Sequence, residues 1–274
     1  MMTRLISIMT AALVLASAAT ANAQDIAGRV RQVGSGTVRL TFASKPGVCG
    51  DGESFVSMRD WYQSDGHRMI FRDNSGGYTI TSGSSEWANW RNCEEGPLRV
   101  ALEVDNGQVI DVRTYVGRDW PAGSNAMVVS SKTAVAYLLQ VVERSGTRAS
   151  KRAITPIIMA DSVEPWRDLL RIAKSNDVAR DTRKSAIFWI GQVAAEEATK
   201  ELKDMVGNPG DIEVRKSAIF ALSQQKRSDS VPALIEVARK SKEKELRKSA
   251  MFWLSQIDDP RVYALFEEII LKKN

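Results

Sequence analysis

A set of three residue types recurs along this chain: Lys184, Phe188 and Gln192, then Lys216, Phe220 and Gln224, then Lys248, Phe252 and Gln256. A cation, a ring and an amide at that spacing have no means of breaking bonds. They are the groups with which a surface holds a polypeptide, the ring supplying desolvated apolar area and the polar pair tuning the fit. Residues better suited to reaction chemistry are scattered. His67 is the sole histidine, so no pair of histidines is available for a metal site. Asp51 and Glu53 flank Gly52 next to Cys49, far short of the roughly six to eight oxygen ligands that calcium takes. No His-Glu-x-x-His, phosphate-binding loop or Gly-x-Ser-x-Gly elbow occurs. Cys49 and Cys93, 44 positions apart, have neither zinc-site spacing nor a haem-attachment motif. The expectation is a protein that is not an enzyme, with no catalytic residue, no metal and no cofactor.

Each set lies in a ten-residue block, Arg183 to Gln192, Arg215 to Gln224 and Arg247 to Gln256, and the blocks repeat every 32 residues. A fixed period of that length in helix-forming sequence predicts a helix pair copied and stacked, because one pair cannot bury its own apolar face. The intervening helices keep the same phase, with Leu138, Leu170, Leu202, Leu234 and Phe266 at steps of 32. A degenerate copy of the block starts at Lys151-Arg152-Ala153-Ile154 and contains Pro156. The array is therefore expected to begin with a helix near Ser131 to Arg144, to end with one near Pro260 to Leu271, and to hold about four and a half pairs. Asp211 is placed to cap the second helix of the middle pair, and Pro232 suits a first turn.

With Ala186 set toward the core, Lys184, Phe188 and Gln192 fall at roughly 160°, 200° and 240° on a helical wheel, pointing outward. The inner stripe also persists where the other helices have diverged. Two readings stay open. Either the stripe builds rows of cation, ring and amide on an interaction surface, or each helix is rotated so that Phe packs on the next unit and Gln forms a ladder. Arg183, Arg215 and Arg247 are expected to be structural, with Asp211 as one partner, and Trp189 and Trp253 to be packing residues.

The first residues read as a leader: Arg4, an apolar run from Leu5 to Ala18, and Ala21-Asn22-Ala23 as an A-x-A cleavage site. The apolar run falls short of the about 20 residues that span a bilayer, so no stable membrane insertion is expected after cleavage. Removing Arg4 takes the formal charge from +5 to +4, too weak and too dispersed for a nucleic-acid footprint. Export would place Cys49 and Cys93 where disulfides persist, and the two are expected to pair. Between Ala27 and about Gly117, three hairpins are expected, turning at Gly34-Ser35-Gly36, Ser75-Gly76-Gly77 and Asp105-Asn106-Gly107.

The Asp211-x-x-Val214-Arg215-x-x-Ala218 start, with Leu222 four residues on, resembles HEAT repeats of the short type also found in phycobilisome lyase-like proteins. The resemblance covers about residues 131 to 272 and loosens where Thr182 and Leu246 replace Val. It implies a right-handed stack with second helices lining a concave surface. Exported bacterial proteins with a Val-Cys-Gly-Asp-Gly stretch before such repeats are similar to this chain throughout, here at Val48 to Gly52. The resulting expectation is an α+β multidomain chain: signal peptide 1–23, disulfide-stapled antiparallel β domain 24–118, linker 119–130 and all-α HEAT-like solenoid 131–274. It would be periplasmic or secreted and act as a scaffold for a protein partner, not a nucleic acid. The alternative is a phycobilin lyase-like or other enzyme on the same repeats.

Overall fold

The computed structural model describes residues 23–53, 55–58, 68–72, 78–81, 93–144, 146, 148–193 and 196–271. Residues 1–22 of the expected leader, His67 and the Ser75-Gly76-Gly77 turn lie outside them. The first half runs α1 (Ala23–Val33), β1 (Gly36–Phe42), β2 (Val48–Gly50), β3 (Phe55–Met58), β4 (Arg68–Arg72), β5 (Tyr78–Thr81), β6 (Glu94–Glu95), β7 (Leu98–Asp105), β8 (Gln108–Tyr115) and β9 (Met127–Val128).

The third hairpin forms as expected. β7 and β8 pair antiparallel, and Asn106 and Gly107 both take positive φ, 50° and 71°, as a two-residue turn of this hand requires. β4 and β5 also pair antiparallel. The first hairpin does not form: Gly28 to Val33, expected as a strand, belongs to helix α1. Ile26 and Val30 are buried one helical turn apart, with Asp25 in the first turn and Arg31 in the last, where each opposes the helix dipole. The true partner of β1 is β7, with Leu40 opposite Val100. The segment expected as a linker contributes β9, which pairs parallel with β1.

Two sheets result, one ordered β8-β7-β1-β9 and one ordered β5-β4-β3-β2-β6. Cys49 on β2 and Cys93 beside β6 form a disulfide with Cα atoms 5.2 Å apart. Arg99 on β7 pins the surrounding loops from within. Its guanidinium donates to the carbonyls of Gly52, Gly117 and Asp119 and lies over the Trp120 ring.

The second half is helical: α2 (Ser131–Arg144), α3 (Arg148–Met159), α4 (Trp166–Lys174), α5 (Arg180–Val193), α6 (Glu196–Gly207), α7 (Ile212–Ser223), α8 (Arg227–Lys240), α9 (Lys244–Leu254) and α10 (Pro260–Leu271). Successive helices pair as α2 with α3, α4 with α5, α6 with α7 and α8 with α9, leaving α10 without a mate among the described helices. Ala186, Ala218 and Ala250 are fully buried, as are Leu138, Leu202 and Leu234, so the 32-residue phase is the phase of the core. The sheet closes one end of this stack, since β8 packs on α3. There Asp111 of β8 accepts two hydrogen bonds from Arg152 of α3, at 2.9 and 2.7 Å, in a largely buried site. One apolar core runs from the sheet into the helices.

Candidate functional site: the inner helices of the stack

The block helices α5, α7 and α9 lie side by side and parallel. Arg183 meets Asp211, Phe188 meets Phe220, and Gly191 meets Ala221, each pair advancing in the same direction. The approach is close enough that a Cβ on Gly191 would fall 2.8 Å from the Ala221 Cβ, so this position needs glycine for space alone. The Gly191 carbonyl accepts from the Gln225 amide at 2.6 Å.

The arginine of each block is a stacking device. The Arg215 guanidinium is buried, donates twice to the Val206 carbonyl, and reaches Glu243, the N-cap residue of α9, at 2.8 Å. Arg183 lies 3.7 Å from Asp211, which accepts a hydrogen bond from Arg180 at 2.5 Å and accepts from the N–H groups of Glu213 and Val214 as the N-cap of α7. Hydrogen bonding from Arg215 holds the Glu243 carboxyl down at about 2. Arg247, the next in the series, donates to the carbonyls of Ser241 and Lys242.

The rings form a ladder. Phe188 stacks on Phe220 at 6.1 Å with planes 10° apart, and Phe220 packs on Trp253 at 4.7 Å. Phe188 and Phe252 also meet Trp189 and Trp253 edge-on at 5.0 Å. Of the two readings left open, packing on the next unit holds for Phe188 and Phe220, and the outward one holds for Phe252. Phe188 is 7% exposed, Phe220 is half-buried, and only Phe252, on the last inner helix, is 57% exposed. The cause is geometric: in parallel neighbours a ring at the wheel position opposite the core lies against the adjacent unit, so it is covered wherever a next unit exists.

The polar members of the stripe fare differently. Lys184 and Lys216 are half-buried and Lys248 is exposed, with Lys216 and Lys248 paired to Glu213 and Glu245 one turn back. Gln224 and Gln256 turn their amides onto Ser223 and Ser255. At Gln192 the equivalent serine is Gly191, and the buried Nε2 finds no acceptor among the described residues. Trp189 is buried in the stack. Away from the helices, Glu53 pairs with Arg118, and Asp51 accepts from the Glu53 N–H.

The outer helices are cross-linked by ion pairs that sequence inspection did not single out. Lys174 of α4 meets Glu201 of α6 at 2.6 Å, Lys203 of α6 meets Glu236 of α8 at 2.9 Å, and Arg239 of α8 meets Glu268 of α10. The signal was available, since each cation precedes its acid by about one repeat.

Helix pairs stacked so that equivalent residues meet across each junction make this region an α-solenoid. Residues 163–251 and 208–274 match the family model of HEAT repeats, so the later part of the stack is similar to HEAT repeats. Comparison with curated proteins gives no match. HEAT arrays are protein-interaction scaffolds that work through extended surfaces.

Proposed function

We infer that the chain is an exported scaffold, periplasmic or secreted and without catalytic activity of its own, that holds a polypeptide partner along the concave side of the array, over α5, α7 and α9. The observation that carries this reading is the persistence of Lys and Gln at the same inner positions of three successive units, while the outer helices have diverged. Because Phe188 and Phe220 are occupied in the ladder, the partner would touch the polar rows: Lys184, Lys216 and Lys248, with Gln192, Gln224 and Gln256 beside them. Export is supported by the Ala21-Asn22-Ala23 site and by the Cys49–Cys93 disulfide, which suits an oxidising compartment.

The test is crosslinking in the native compartment from a photoreactive residue at position 224, with position 236 on the outer layer as control. A single polypeptide trapped from 224 but not from 236, and lost when Lys216 and Lys248 are both changed to Glu, is the expected result. Identical products from both positions, or none from 224, would exclude the concave face.

A further inference from the structure

The α10 helix is half of a pair. Stepping 32 residues back places Tyr263, Ile269 and Ile270 on Val231, Val237 and Ala238 of α8. Val231 and Val237 are buried and Ala238 packs on the core, whereas Tyr263, Ile269 and Ile270 are exposed. The residues are of the buried type, and among the described residues no inner helix covers α10 as α9 covers α8. Five of the seven large hydrophobic side chains exposed among the described residues, Phe252, Tyr263, Ile269, Ile270 and Leu271, lie on α9 and α10.

The junctions inside the array state what fits there. At the last two, an arginine of the preceding inner helix reaches the N-cap carboxylate of the next, Arg183 to Asp211 and Arg215 to Glu243, and a phenylalanine is covered by an aromatic ring of the next helix. On α9 the corresponding groups are Arg247, whose described acceptors are two backbone carbonyls, and Phe252, 57% exposed. In this chain the N-cap acid and the covering ring stand nine residues apart at one junction, Asp211 and Phe220, and ten at the next, Glu243 and Trp253. We propose that the open side of α9 and α10 takes one helix of a partner polypeptide, parallel to α9, with a carboxylate at its N-cap for Arg247 and an apolar ring about nine or ten residues later over Phe252.

A second copy of the chain does not supply such a helix. Its α5, α7 and α9 are packed within its own array, its N-cap acids Asp211 and Glu243 are held by its own arginines, and its α3 is covered by β8. This docking face adjoins Lys248 and Gln256 at the end of the polar rows, so the two readings are told apart on α7, where Lys216 and Gln224 belong to the rows alone.

The probe is a synthetic peptide of residues 209–225, carrying Asp211 and Phe220, side-chain stapled on its exposed face and verified as helical by circular dichroism. Fluorescence anisotropy against the full chain should show saturable one-to-one binding. Phe252→Ser should weaken it at least tenfold, and Tyr263→Lys on α10 is a second, independent disruption should the first variant fail to fold. Replacing Asp211 of the peptide by Asn should weaken binding several-fold to the wild-type chain but not to Arg247→Gln, the signature of a direct pair. Lys216→Glu and Gln224→Ala, on the concave side, should leave peptide binding unchanged. Absence of saturable binding, or equal binding to the wild type and to the folded Phe252→Ser and Tyr263→Lys variants, overturns the proposal. So does sedimentation showing that the chain self-associates and that Phe252→Ser abolishes it, since the occupant would then be a second copy.

Discussion

Glu243 shows how much one carboxylate can do in a repeat junction. It precedes α9 as its N-cap residue and accepts hydrogen bonds from the Arg215 guanidinium, which is why its carboxyl titrates at about 2 rather than at 4.5. A group whose folded value is depressed contributes stability that is complete above its unfolded value and is lost as the pH falls through the folded one. For Glu243 that window runs from about 4.5 down to about 2. Glu243→Gln should therefore lower the thermal midpoint at neutral pH, and the gap from wild type should close as the pH is taken from 5 toward 2. Parallel acid limbs for the two proteins would show that the Arg215 contact contributes nothing to stability. Such a contact was legible only in outline. The sequence pointed to Asp211 as an arginine partner, but Glu243 occupies the same cap position with a longer side chain, and its role depends on how far α7 and α9 are offset.

At the scale of elements, periodicity was readable wherever one face of a helix recurs at a fixed interval. The start near Ser131, the end near Leu271 and the four and a half pairs all follow from a 32-residue phase that the core obeys. What the wheel could not reveal was the neighbour. Phe188 lies opposite Ala186 on its own helix, yet a parallel helix on that side buries it, a fact of the stack and not of the segment. Strand signals failed where local pattern was ambiguous: Val30 and Val33 satisfy helical spacing as readily as a short strand, and packing on the sheet and on α2 decides for α1. β9 is two residues long and has no pattern to read. The ladder makes a graded prediction. Phe188→Ala should cost roughly 3 to 5 kcal/mol, as for an emptied core site, whereas Phe252→Ala should stay within about 1 kcal/mol, as for an exposed one. Chemical denaturation of both variants checks this, and equal losses would contradict the gradient of burial along the array.

Over the whole molecule, the sheet takes the place that a preceding helix pair would fill, and the buried pair of Asp111 and Arg152 marks where the two kinds of structure are joined. A largely buried ion pair adds little over a well-packed apolar pair, because desolvating both charges offsets most of their attraction, while removing one partner strands the other charge. Asp111→Ala should thus destabilise the chain by about 3 to 5 kcal/mol, and the double change Asp111→Leu with Arg152→Leu should recover most of that loss. The loss should appear in the sheet and in the first helix pair together, because their apolar side chains share one core. Denaturant unfolding followed both by the far-ultraviolet signal of the helices and by hydrogen exchange of the β7 and β8 amides reads this directly. Coincident transitions that shift together in Asp111→Ala and shift back in the double variant are expected. A transition of the β7 and β8 amides that moves alone would mean that the array is stable without its β end, and that the sheet is an appendage to the solenoid and not its cap.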